Sequence, residues 1–394
     1  MAPNLNPLRR DKFDPSMASD EFREQWINPG DVFSILLILG GDVVQLALAQ
    51  LAGSGFAPVA FSFGWVAYSI SALVASLGSN KLMPRNPDCK CKVINGKTGY
   101  IRENSSWVLG RVLRDFRYWM HPETQALLQR NVDGLWAKMK KKNPNAKKPG
   151  KAGLIVTLYE PSLDVPLGKP KRDWLYWSGI MVIIIQLGVA VIPLGLFGDW
   201  GILLVTVVGT ILAIATGLLP QWEEEKWACR TETHTPYVLT EGNGSQHAIV
   251  VLGNGRGFNL EDLATGQTNA TGDRNNTSWV VLSILSAFWI LLLITATAIQ
   301  ENTWYLLAIG GLGIVQNVTA AGWIRRPEAL GFPLEFVGVC GETSVMGTLI
   351  ELEKQYPSLG RSMRDEFFPG KLKPEELVVW DELERKALEK LSNK

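Results

Sequence analysis

Apolar positions in this chain are gathered into long runs, and charged positions fill the stretches between them. A bilayer core of roughly 30 Å needs about 20 apolar residues in a helix. Six runs meet that length, at 31–52, 58–78, 174–197, 200–220, 278–299 and 303–324. The links at 53–57, 198–199 and 300–302 are so short that the runs pair into three hairpins. The pattern predicts a membrane α-helical protein with six transmembrane helices. Trp174, Trp177, Trp200, Trp222, Trp279, Trp304 and Trp323 fall at the predicted ends, where amphipathic rings settle between lipid and water.

Four polar stretches remain, at 1–30, 79–173, 221–277 and 325–394, alternating with hairpins at 31–78, 174–220 and 278–324. Their local patterns predict short elements. CKVINGKTGYIR, with Asn95-Gly96 between β-prone residues, reads as a hairpin. SSWVLGRVLRDFRYWM has Ser105 or Ser106 as N-cap and a helical apolar stripe, and Pro122 opens PETQALLQRNVDGLWAKMKKK, whose cations crowd the last turn. GLIVTLYE reads as a strand, and PYVLT and QHAIVVLG flank the turn EGNGS. PLEFVGVCG reads as a strand, followed by helices in ETSVMGTLIELEKQY, SLGRSMRDEFF and KPEELVVWDELERKALEKL. Strands this short are not stable alone. The economical expectation is one composite cytosolic α+β domain with strands from all three long stretches.

Charge sets the expected orientation. The stretch 79–173 holds about 20 Lys and Arg, whereas the three short links hold none, so the polar stretches are expected in the cytosol. An even number of spans then puts both termini there. The first 30 residues lack the apolar core of a cleavable leader, which leaves the first span as insertion signal. In this topology the sequons at Asn104, Asn243, Asn269, Asn275 and Asn276 stay unglycosylated, and the one at Asn317 lies inside a span. A net charge of +1 carries no argument for nucleic acid, and four cysteines are too few for a disulfide scaffold.

Candidate chemistry is sparse. Asp42 sits in an apolar run, and a mid-bilayer charge costs roughly 2.5–3.5 kcal/mol. It is expected to face the bundle interior with Gln45, Gln186, Gln316 and Asn317 as an intramembrane polar cluster, built for packing, for a proton-coupled or small-solute path, or for acid catalysis. Gly253, Gly255, Arg256 and Gly257 resemble an anion-binding turn but lack βαβ context and a phosphate-binding lysine, so a plain glycine turn is the simpler reading. Cys89, Cys91 and Cys229 lie near spans and are possible S-acylation sites. No metal site is expected, since His121, His234 and His247 are remote from the cysteines in sequence. The basic run Lys138–Lys148 is a solvated linker or a contact to anionic lipid. No nucleophile elbow, metalloprotease or paired-acid motif occurs, and no cofactor is implied.

RRPEALGFPLEF and VMGTLIELEKQYPSLGRSMRDEFFPG, with NPGDVFSILLILGGDVVQLALAQ and HAIVVLGNGRGFNLEDLA, resemble a family of uncharacterised multi-pass membrane proteins of filamentous fungi. The likeness runs over most of the chain. It implies a fungal membrane protein, encoded beside biosynthetic genes, with no activity or residue role to carry over. The expected function is a membrane protein whose cytosolic domain serves interaction, sensing or scaffolding with an unidentified protein partner. One rival is a transporter using the Asp42 cluster. The other is a membrane-bound biosynthetic enzyme with an interfacial pocket collecting His121, His234 or Glu335.

Overall fold

The computed structural model describes residues 40–53, 55–78, 81–266, 276–370 and 372–392. In chain order the elements are α1 (Gly41–Leu51), α2 (Gly64–Gly78), β1 (Lys92–Asn95), β2 (Ile101–Glu103), α3 (Trp107–Arg114), α4 (Phe116–Trp119), α5 (Pro122–Lys142), β3 (Ile155–Pro161), α6 (Trp174–Phe197), α7 (Gly201–Gly217), α8 (Gln221–Lys226), β4 (Tyr237–Thr240), β5 (His247–Val251), α9 (Leu260–Ala264), α10 (Asn276–Thr297), α11 (Thr303–Gly322), α12 (Pro327–Leu330), β6 (Leu334–Gly341), α13 (Val345–Gln355), α14 (Leu359–Phe367) and α15 (Pro374–Ser392).

Among the described residues, three helices are long and apolar enough to cross a membrane: Trp174–Phe197, Trp279–Thr297 and Thr303–Gly322. The chain is therefore a mostly helical membrane protein, and among the described residues three of the six expected spans meet that length. The reasons are local. α7 is apolar but has 17 residues, about 26 Å at 1.5 Å per residue. Within the expected span 31–52, only Gly41–Leu51 is helical among the described residues. The expected span 58–78 is broken, because residues 57–62 form neither helix nor strand and helix resumes at Gly64. Pro58 lacks an N–H and disfavours helix at the residue before it.

The break changes the direction of the chain. Gly53 packs on the backbone of Trp222 and Glu223 just beyond α7, and Pro58 meets Gly179 in the first turns of α6. The 53–57 link therefore lies at the end of the bundle that adjoins the strands, not at the far end as its lack of charge suggests. From there the chain descends to mid-depth, where the Trp65 ring stacks on Trp289 at 5.5 Å. α2 then climbs back beside α10, with Ser286 Oγ donating to Ser69 O at 3.0 Å.

The strands form one small mixed sheet in the order β2-β1-β4-β5-β3-β6. β3 runs parallel to β5, and the remaining ladders are antiparallel. Its strands come from 79–173 (β1–β3), 221–277 (β4, β5) and 325–394 (β6). Alternation divides each strand between two faces. Val156, Leu158, Val238 and Val250 face α13 and α14 in one core with Leu349, Leu352, Met363 and Trp380. Val93, Leu239 and Ile249 face the other way, into a core that includes Trp107 of α3 and Leu260 of α9 and continues through Leu48, Trp289 and Leu306 of the bundle. The domain is thus joined to the bundle by continuous packing. On the bundle's outer surface Met181, Ile184, Val191, Ile211 and Ile294 are exposed, as a lipid-facing surface requires.

Candidate functional site

The expected polar cluster is only partly assembled. Asp42 is exposed on the first turn of α1 and does not join the buried amides. Gln45 turns to the domain side, donating to Leu82 O at 2.8 Å, and Gln316 donates to Ser178 Oγ at 3.0 Å. Gln186 and Asn317 do converge, on the non-helical stretch. Gln186 Nε2 donates to Phe61 O at 2.7 Å and to Ile309 O at 2.8 Å. Asn317 Nδ2 donates to Ala60 O at 3.0 Å and to Ser62 Oγ at 3.2 Å, and Trp65 Nε1 also donates to Ala60 O. Non-helical backbone at membrane depth needs protein partners for its polar groups, and these side chains supply them. Glycines make room: a methyl at Gly313 would overlap the Phe61 carbonyl, and one at Gly209 the Phe61 ring. Gln186 Oε1 and Asn317 Oδ1, both buried, have no protein donor.

A second group of buried polar residues, which the sequence pattern did not single out, seals the junction between bundle and domain. A helix leaves its last carbonyls without intrahelical donors and with partial negative charge. Lys226 Nζ, buried, donates to Ala49 O at 3.1 Å and Ala52 O at 3.0 Å at the end of α1. Arg325 donates to Gln50 O at 2.7 Å and holds Asp173 through two hydrogen bonds of 2.8 and 3.0 Å. Arg111, also buried, pairs with Asp88 at 2.7 Å and donates to Ala321 O at the end of α11. The Glu225 carboxylate accepts from Leu82 N at 2.9 Å and Met83 N at 2.8 Å. Burial pushes the Lys226 ammonium down to about 7, with Arg325 adding repulsion. The Glu225 carboxyl is raised by burial, against the pull of its hydrogen bonds. Trp222, expected at an interface, is instead buried, its Nε1 on Thr216 O at 3.2 Å. One signal was legible: charged residues immediately after an apolar run, as in QWEEEKW and GWIRRP, sit where helix ends need counter-charges.

Two cavities open at this junction, of about 460 and about 370 Å³. Both are lined by Lys171, Arg172 and Arg325. The larger adds Arg326 with Asp164, Glu328 and Glu335. The smaller adds Lys169 and Glu223 over Leu51, Phe56 and Tyr176. Of the residues expected in an enzyme pocket, Glu335 lines the larger of these two cavities, and His121 and His234 line neither. His121 stacks on Phe336 at 3.8 Å and caps α5, and His234 packs under Gly253 and Gly255.

The remaining candidates have local explanations. Gly253, Gly255, Arg256 and Gly257 lie between β5 and α9, a helix of 5 residues whose N–H groups at Glu261 and Asp262 are already capped by Asn259. The acids in its first turn oppose an anion, and Gly253 and Gly255 sit against His234. Cys91 is buried, and burial pushes its thiol up to about 12. Cys229 is half-buried and likewise pushed up by burial to about 12, and Cys89 is raised by burial and Glu241. Among the described residues no group of acids, histidines and cysteines could hold a metal ion. α5 carries Lys138 to Thr343, beyond the end of β6 remote from the bundle, and Lys148 folds back onto Asp133 at 2.6 Å. Asn104 is buried and bonded to Ser106, whereas Asn243 is exposed on the β4–β5 turn; Asn269 and Asn275 lie outside the described residues. No protein-family model, curated protein or solved structure matches the chain.

Proposed function

We propose that this multi-pass membrane protein holds an α+β interaction or sensing domain rigidly against the cytosolic surface, in a non-enzymatic role. The observation that carries it is the single apolar core running from the sheet into the bundle, closed by Lys226, Arg325 and Arg111 on helix-end carbonyls. Topology follows from parity. Strands preceding α6, strands between α7 and α10, and a strand following α11 all join one sheet. In this reading each intervening helix pair crosses an even number of times, and α7, though only 17 residues long, makes the return crossing of α6. α1 and residues 57–78 then enter and leave from the domain side. The basic stretch 79–173 supports a cytosolic domain. The fungal family likeness rests on the quoted motifs alone.

Sidedness is tested at Asn243, an exposed sequon among the described residues. In protein from its native cell it is expected to carry no glycan, and a glycan there overturns the cytosolic placement. A small-solute path is the second reading, favoured by the unpartnered oxygens of Gln186 and Asn317 beside the non-helical stretch; discontinuous helices form such sites in transporters. Proton flux into proteoliposomes, followed with a pH-sensitive dye, is expected to match empty vesicles. Flux that Gln186→Leu abolishes would establish the path instead.

A further inference from the structure

The β3–α6 loop and the α11–β6 connection run side by side at the junction. Gly168 N donates to Gly331 O at 2.9 Å, Lys171 N to Glu328 O at 2.9 Å, and Ser162 N to Pro333 O at 3.2 Å. These bonds fix the loop and present Lys169, Lys171 and Arg172 as three exposed cations in succession, interrupted only by Pro170. None of the three side chains forms an ion pair among the described residues, in contrast to Arg325 behind them, which Asp173 neutralises at 2.8 Å. The single carboxylate that shares the smaller cavity with them is Glu223. The Arg172 guanidinium lies over the Tyr176 ring at 5.2 Å, and Tyr176 meets the Phe56 ring edge-on at 6.4 Å. The cavity thus has a cationic rim and an aromatic floor. The floor reaches the outer surface of the bundle at exposed Phe56 and the neighbouring exposed Trp177. Trp174 and Trp323, packed edge-on at 4.5 Å, place the interfacial belt at the same level.

We infer that this 370 Å³ cavity binds the phosphate headgroup of an anionic amphiphile, with Lys169, Lys171 and Arg172 on the phosphate and the acyl chains leaving past Phe56 and Tyr176. Phosphate is the chemistry that three clustered cations, none of them in an ion pair among the described residues, recognise. The apolar floor opening toward lipid distinguishes a membrane amphiphile from free phosphate. The cation cluster that meets the headgroup is therefore the β3–α6 loop, not the more basic run Lys138–Lys148, which α5 carries away from the bundle. The assignment rests on placing the junction at a membrane surface.

The test uses the full-length protein in neutral detergent, titrated with dioctanoyl phosphatidate, dioctanoyl phosphatidylcholine and inorganic phosphate. Saturable binding of the phosphatidate is expected, with affinity at least about tenfold above that for the other two. Lys169→Gln/Lys171→Gln/Arg172→Gln is expected to lower phosphatidate affinity by about tenfold or more, since each close cation contributes. Lys138→Gln/Lys140→Gln/Lys141→Gln, on distant α5, is expected to bind as the unaltered chain does. Equal affinity for phosphatidylcholine, or unchanged binding in the loop variant, overturns the site. Inorganic phosphate binding as tightly as the lipid overturns the amphiphile assignment. Should the triple variant melt early, Lys171→Gln alone, at an exposed tip, is expected to show about a threefold loss, and its absence overturns the site. Binding in detergent does not depend on sidedness, so a glycan at Asn243 would remove the cytosolic placement and leave this result standing.

Discussion

At the scale of single residues, steric fit and amide pairing make different demands around the non-helical stretch. A valine at Gly313 would overlap the Phe61 carbonyl, which is backbone and cannot swing away. Gly313→Val is therefore expected to cost about 1–3 kcal/mol or more, read as a lower melting temperature in detergent. Gln186→Leu removes two hydrogen bonds to carbonyls, and interhelical bonds of this kind contribute about 0.5–2 kcal/mol. The glycine variant should be the more damaging of the two; the reverse order would show that amide pairing, not close approach, holds the stretch. His247 gives a pH signature. Its ring lies buried against Phe116 at 5.4 Å, and burial, helped by Arg117 and Lys151, lowers it to about 4 from an ordinary 6.5. Between those values the unfolded chain binds more protons than the folded one, so stability falls as pH drops through that window. Melting temperature measured from about pH 7 to about pH 4 should decline less for His247→Gln than for the unaltered chain.

At the scale of elements, the strands, turns and amphipathic helices of the polar stretches were legible. Asn95 accepts from Lys97 N at 3.0 Å and Thr98 N at 3.1 Å, the side-chain turn its sequence announces. Ser344 caps α13 by accepting from Gly347 N at 3.1 Å. The second expected span was misread because apolar content was weighed above period. Val59-Ala60-Phe61-Ser62-Phe63 alternates bulky and small residues between Pro58 and Gly64, a strand-like period that does not continue a helix. Its consequence is measurable. A cysteine at Phe56 is expected to react with a membrane-impermeant maleimide from the same side as one at Tyr100 in the sheet domain, both positions being exposed. A cysteine at Trp200, on the link beyond α6, should react from the opposite side. Labelling of position 56 together with position 200 would restore the full-length hairpin.

At the scale of the whole molecule, three buried cations stand where the two halves meet. Removing one partner of such a group leaves buried acceptors unpaired, which costs about 1–3 kcal/mol. Arg325→Met would strand Asp173 and free the Gln50 carbonyl. The unaltered protein is expected to melt with coincident loss of helix signal and tryptophan environment. Arg325→Met should melt earlier and separate the two. Coincident melting at the original temperature would mean that apolar packing alone couples domain and bundle.

What the linear chain determined was local: which runs are apolar, where turns and caps fall, and that the charge lies between the runs. Those follow from periodicity and from residue chemistry that acts over one or two turns. Tertiary structure decided the rest. It turned Asp42 outward, bent residues 57–63 into the bundle, and recruited Arg111, Lys226 and Arg325 to carbonyls as far as 275 positions away. Such pairings depend on which helix ends meet in space. No property of a residue's own neighbours specifies that, because a buried cation reads in sequence the same as a solvated one.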